Sequence, residues 1–289
     1  MANLFDIGKS GLQAYRQSLA VTGQNIANID TDGYKRREAG LQEISAGTGS
    51  VTGIQNQTGI GVRVTDIRRS FDEFLLNKAR SATANAEAKE AHYANVKQLE
   101  DILLPGDANL GTSIGQFFSS LQEIVTAPSD LAPRVVALEQ GKLLADSFND
   151  VAAVVQQLKD GIITQANQEI DSINLLANEL GTLNQQIASA GVNKVNNALL
   201  DRRDALIDEI SESVGVSVSL GSSGAANLTI GDSGRGPVLV EGNKVTPMGI
   251  DPEYTLISFV MSPGVANIYT SQVTKGALAG LADGYATVA

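Results

Sequence analysis

The residue types that could carry chemistry are few. The chain has one histidine, His92, and neither cysteine nor tryptophan among its 289 residues. Without thiols there can be no disulfide framework, zinc–cysteine site, iron–sulfur cluster or cysteine nucleophile, and a single imidazole cannot build a multi-histidine metal centre. A serine hydrolase of the Ser-His-acid kind would have to use His92, which sits in an alanine-rich run beside Glu87, Lys89 and Glu90 and reads as part of a helix surface. Asp30-Thr31-Asp32-Gly33 begins like a calcium loop. Such a loop, however, requires glycine at its sixth position and an acid at its twelfth, where this chain has Lys35 and Leu41. Gly59-Ile60-Gly61 lies between extended segments, and Gly231 to Gly236 lacks the Lys-Ser/Thr ending of a phosphate loop, so both read as turns. Asp204 and Asp208 lie one helical turn apart and read as a solvated acidic face. No catalytic residue, metal or cofactor is expected.

One cluster resists that treatment. In Leu199-Leu200-Asp201-Arg202-Arg203-Asp204, neither arginine has an acid three or four positions away on its own helix. Arg202, Arg203, Asp201 and Asp204 are therefore expected to make ion pairs with other helices, the alternative being anion binding. Two further basic clusters, Lys35-Arg36-Arg37 and Arg68-Arg69, read as solvated or salt-bridged surface.

The elements that must position these residues follow from periodicity. Phe5, Leu12, Leu19 and Ile26 recur every seven residues, with Tyr15 three after Leu12, giving a narrow apolar seam on a helix from about 4 to 29. The intervening residues are small and uncharged, so this helix is weak alone and its seam calls for a partner. Residues 34–70 lack a helical period and read as loop and short extended pieces. Helices follow over about 71–104, 113–126, 135–189 and 197–213. In the longest, Ile173, Leu176, Leu180, Leu183 and Ile187 step 3-4-3-4, the pattern of core packing between antiparallel helices. From Val214 the pattern changes to alternation, with Val214, Val216, Val218 and Leu220, then Leu228 and Ile230, then Val238 and Val240. Further strand signals lie at 254–261 and 268–273. The fold class is thus mainly α with a β-rich second domain: a seam helix (1–33), a long antiparallel helical bundle with an extended loop at 34–70 (34–213), and a small β-rich outer domain (214–289).

Charge and hydropathy narrow the partners. The formal net charge is −11, and residues 1–80, with ten Lys/Arg against eight Asp/Glu, are slightly basic, which leaves the remainder strongly acidic. That surface repels nucleic acid and anionic membrane, and no run approaches the ~18 apolar residues of a membrane span. The N-terminus lacks the basic and apolar regions of a cleaved signal peptide.

Ser10-Gly11-Leu12-Gln13-Ala14, followed by Asn25-Ile26-Ala27-Asn28 and Thr31-Asp32-Gly33-Tyr34, resembles the shared opening of bacterial flagellar rod, hook and hook-associated subunits. Thr112 to Ile124, with Phe117-Phe118-Ser119-Ser120-Leu121-Gln122, and Asn197 to Asp204 further resemble the flagellar hook-associated protein 1 family. The likeness runs over roughly residues 1–230. It implies a non-enzymatic, extracellular structural subunit, exported by the flagellar type III apparatus without signal cleavage, that polymerises between hook and filament. It also implies partners: copies of itself, the hook subunit, the second junction protein and an export chaperone. The implied assembly interface is Phe5, Leu12, Tyr15, Leu19, Asn25, Ile26, Asn28, Gly33 and Tyr34. A hook or distal-rod subunit, or a secreted coiled-coil adhesin, are the alternatives. Members of the family finish with a C-terminal helix, whereas this chain stops at Ala289 with no second seam, so it is expected to be a fragment or a truncated form. The first seam is then expected to be disordered, exposed or packed on another copy.

Overall fold

The computed structural model describes residues 4–31, 33–44, 61–104, 106, 109–190, 196–251, 258–261 and 273–289. Asp32, Gly59 and Ile60, and residues 254–257 and 268–272 of the strands expected over 254–261 and 268–273, lie outside these. The helices are α1 (Leu4–Ala27), α2 (Glu73–Leu103), α3 (Leu110–Thr126), α4 (Leu131–Ala190), α5 (Asn197–Ser213) and α6 (Ala277–Val288). The strands are β1 (Arg37–Ile44), β2 (Gly61–Arg69), β3 (Val216–Leu220), β4 (Ala226–Ile230), β5 (Val238–Glu241), β6 (Lys244–Val245), β7 (Met248–Asp251) and β8 (Ser258–Met261). The fold is mainly α, with small antiparallel β regions.

Helix starts follow local chemistry. Asp72, Asn109 and Asn196 each accept a hydrogen bond from a backbone N–H in the first turn of α2, α3 and α5, at 2.9–3.0 Å. The long helix α4 begins at Leu131, four residues before the sequence reading placed it. Pro133 falls in its first turn, where a missing N–H costs nothing. At 60 residues α4 extends about 90 Å. Its C-terminal half carries the core: Ile162, Ala166, Ile170, Ile173, Ala177, Leu180 and Ile187 are all at most 3% exposed. Its N-terminal half pairs with α3, and there Leu131, Leu138 and Phe118 stay open to solvent.

The strands β3-β4-β5-β6 form a four-stranded antiparallel sheet in sequence order, and β7 pairs with β8. Ala226, Leu228 and Ile230 of β4, with Leu239, Val240, Phe259 and Met261, join the α4 stripe and Leu206, Ile207 and Ile210 of α5 in one continuous core. Two asparagines on α4 fasten sheet to helix. Asn184 Nδ2 donates to the carbonyls of Ala226 and Gly242, and its Oδ1 accepts from Ala226 N, all at 2.8 Å. Asn174 does the same with the N–H and C=O of Met248. Asn184 is 1% exposed, so Asn184→Ala strands a buried N–H and two carbonyls. The expected cost is about 3 kcal/mol, read as a lower denaturation midpoint with an unchanged slope.

Three parts of the sequence reading change. Residues 34–70 are not merely short extended pieces: β1 and β2 form an antiparallel hairpin of eight and nine residues. A register shift at Gly40/Leu41 breaks the side-chain alternation that would have revealed it. Strand β7 was not anticipated. The end of the stretch expected to be β-rich is instead helix α6, lying against α2. Gly280 and Gly284 permit the close helix contact: a Cβ on Gly280 would sit 2.1 Å from the Ala88 carbonyl oxygen, and one on Gly284 2.5 Å from Asn95 Nδ2.

A candidate assembly surface and its anchor

Helix α1 carries two seven-residue stripes on opposite sides. Phe5, Leu12, Leu19 and Ile26 are 65–76% exposed, and Tyr15 is equally open. Two residues along from each lie Ile7, Ala14, Val21 and Asn28, of which Ala14 and Val21 are buried. That inner stripe packs on the β1–β2 hairpin. Small residues permit close approach: Ser10 Oγ accepts from Val62 N, and a Cβ on Gly61, whose φ is +146°, would meet Ser10 Oγ at 2.2 Å. Side chains with a Cβ are strongly disfavoured there.

The residues expected to form one assembly face therefore divide. Phe5, Leu12, Tyr15, Leu19 and Ile26 point outward, whereas the other four make intramolecular contacts. Asn25 works as a backbone clamp: its Nδ2 donates to Arg37 O at 2.8 Å, and its Oδ1 accepts from Arg37 N and Tyr34 Oη, both at 2.9 Å. The Tyr34 ring lies under the Arg37 guanidinium, 4.9 Å from its carbon to the ring centroid. Asn28 Nδ2 donates to Gln24 O, and Thr31 Oγ1 reaches Asn28 Oδ1, turning the chain out of the helix. Gly33 adopts φ +74° against Ala205 of α5.

The cluster at 199–204 meets this unit. Arg37 and Arg69 are directly opposed on the hairpin, a like-charge pair that would repel if left alone. Asp201 separates them, its Oδ2 3.0 Å from Arg37 Nη2 and its Oδ1 2.9 Å from Arg69 Nη1. Arg69 Nη1 also reaches Asp204 Oδ2 at 2.8 Å. Asp204 in turn holds Arg203 by Nε at 3.0 Å and Nη2 at 2.6 Å, and the third nitrogen, Nη1, donates to the Gly224 carbonyl. From α2, Arg80 pairs with Asp208 and approaches the Asp204 carbonyl. The result is a ladder on the 201–204–208 face of α5, fed by arginines from β1, β2 and α2.

Several expectations need correction here. Arg202 pairs with Glu179 on α4, another helix as expected. Arg203 instead pairs with its own neighbour Asp204, because the long arginine stem folds back in a site where its side chain is only 2% exposed. Asp204 and Asp208 do not form a solvated acidic face, since both are engaged by arginines. The two basic clusters split by strand alternation: Arg36 and Arg68 face solvent and pair locally with Glu38 and Asp66, while Arg37 and Arg69 turn inward. The hydrogen bond from Arg68 lowers the Asp66 pKa below the ordinary value. Further along α5, burial, then the nearby carboxylates of Glu87, Glu209 and Asp208, raise that of Glu212. Among the described residues no cluster of three His, Asp or Glu side chains could hold a metal, and no helix is long and apolar enough to cross a membrane.

Comparison with known proteins places this geometry. Residues 96–289 match the family model of the flagellar hook-associated protein FlgK helical domain, and residues 5–35 that of the flagella basal body rod protein. Flagellar hook-associated protein 1 of Escherichia coli (strain K12) is 28% identical over 290 residues, covering 97% of this chain and 52% of the relative. The protein of that name from Bacillus subtilis (strain 168) is 29% identical over 241 residues, covering 82% and 47%. The chain thus spans about half the length of the curated relatives it matches. The solved structure of the flagellar hook junction protein FlgK from Burkholderia pseudomallei superposes with a TM-score of 0.63 at 26% identity, over 72% of this chain and 38% of that one.

Proposed function

The chain belongs to the family of the flagellar hook-associated protein FlgK, and we propose that it acts as a non-enzymatic structural subunit at the junction between hook and filament. The observation that carries this reading is the outer stripe of α1. Four large apolar side chains, evenly spaced along 22 residues, are held open to solvent by a helix whose other face is already docked. A regular exposed stripe of this kind suits burial between subunits. Its partners would be copies of itself and the neighbouring axial proteins, the hook subunit and the second junction protein. Export through the type III apparatus, with a chaperone to cover the stripe beforehand, and an extracellular place on the flagellum complete the reading. The alternative of a hook or distal-rod subunit shares the 5–35 match but not the 96–289 match.

Leu12→Asp/Leu19→Asp tests the role. Both positions are exposed, so unfolding stability should stay within about 0.5 kcal/mol of the parent. In cells whose only copy of the gene carries the change, the subunit should be exported yet absent from hook–filament junctions, and filaments should detach or fail to form. Normal junctions and swimming in that strain would refute the proposal.

A further inference from the structure

The unit made of α1 and the hairpin is joined to the helical body in an unusual way. Among the described residues, the continuous apolar core contains none from residues 4–69. The contact runs instead through Arg37 and Arg69 onto Asp201 and Asp204, with Asn197 Nδ2 donating to the Ile67 carbonyl at 2.9 Å. Open clefts flank this narrow contact. One of about 520 Å³ lies between the Asn28–Gly33 turn and α5, and one of about 960 Å³ between the far side of the hairpin and Asn197, Leu200 and Phe71. The pairing shares its groups and keeps one donor in reserve: Asp201 divides its two oxygens between two arginines, Arg69 is shared by two aspartates, and the buried Arg37 Nε has no acceptor among the described residues.

Apolar side chains that interdigitate fix an angle, because sliding them opens voids. Ion pairs with surplus donors can exchange partners over a range of angles while every charge stays neutralised. We infer that the Asp201–Asp204 ladder is a pivot, about which the α1–hairpin unit swings on the helical body, closing one cleft as it opens the other. The charged groups at the joint are Arg37 from β1, Arg69 from β2, Arg80 from α2, and Asp201, Arg203, Asp204 and Asp208 on α5. In the proposed axial role, on which this clause rests, the pivot lets neighbours set the direction of α1.

The absence of cysteine makes the test clean. Spin labels on Ala20→Cys and Gln186→Cys report the distance between unit and body, and labels on Lys97→Cys and Gln186→Cys report the body alone. In the otherwise unaltered chain the first distance should already be distributed more broadly than the body distance, within limits set by the two clefts. In Arg37→Gln/Arg69→Gln it should widen roughly twofold while the body distance holds, because an opening confined to one joint leaves the rest of the fold in place. Lysine at both positions should restore much of the original width. About 1 M salt, where the Debye length is about 3 Å, should widen the unaltered protein in the same direction. A first distance as narrow as the body distance in the unaltered chain would overturn the pivot, and so would an unchanged first distance in the glutamine variant or a body distance that broadens with it.

Discussion

Gly280→Ala should destabilise this protein, although glycine-to-alanine in a helix interior ordinarily stabilises by about 0.5–1 kcal/mol. The reversal of sign is the informative result. Helix α6 lies so close to α2 that a Cβ on Gly280 would sit 2.1 Å from the Ala88 carbonyl oxygen and 2.8 Å from Ala91 Cβ. A Cβ has no rotamer, so relief can come only from moving one backbone away from the other. That separation would loosen the packing of Leu278, Leu281 and Tyr285, which belong to the common core. Lys275, bonded to Ser81 and paired with Asp232, and the hydrogen bond from Gly276 N to Ala84 O would be pulled as well. The expected loss is about 3 kcal/mol, which for a chain of this size lowers Tm by roughly 10 °C. Gly280→Leu should abolish the cooperative transition. Gly161→Ala provides the contrast: that α4 glycine has open space around the added Cβ and should gain stability. Thermal melts followed at 222 nm separate the cases, and a Gly280→Ala protein as stable as its parent would mean that α6 does not lie on α2.

The second large effect is expected at Asp204. Its side chain is 2% exposed and stands between Arg69 and Arg203, themselves 6% and 2% exposed. Asp204→Ala leaves two buried guanidinium groups short of an anion, and breaking a buried pair from one side typically costs about 3–5 kcal/mol. Arg202→Ala, which removes a pair with Glu179 that is about half exposed on both sides, should cost at most about 1 kcal/mol. Two charged residues of one motif, Arg202 and Asp204, thus differ sharply in consequence. Denaturant unfolding of the three proteins measures the difference, and a loss below 1 kcal/mol for Asp204→Ala would show that the ladder contributes little to stability.

How much of this could be read from the residues varies by element. The α1 stripe, the stripe from Ile173 to Ile187 and most helix positions were legible because each depends on spacing within one segment. The 199–204 cluster stood out because its arginines lacked partners in their own helix. Its true partners could not be named, since Arg37 and Arg69 come from 164 and 132 residues away in sequence. Asp204 and Asp208 looked solvated for the same reason: a local pattern does not show what packs over it. Asn25 and Tyr34 belonged to a recognisable motif, but only the hairpin, hidden by its register shift, reveals that they act inside the subunit. Helix α6 was missed because Gly280 and Gly284 have the same composition in a turn as in a tight helix crossing, and only the small residues waiting on α2 distinguish the two.

The two stripes of α1 also carry a handedness. An α-helix of 3.6 residues per turn does not repeat in seven, so residues at a strict spacing of seven precess by about 20° per step, or about 60° from Phe5 to Ile26. A straight rod laid along Phe5 would lose the line before reaching Ile26. A helix that touches all four must wind left-handed about α1. The inner stripe precesses equally in the same sense, so the hairpin floor and the outer partner are seated on surfaces already offset by a matching twist.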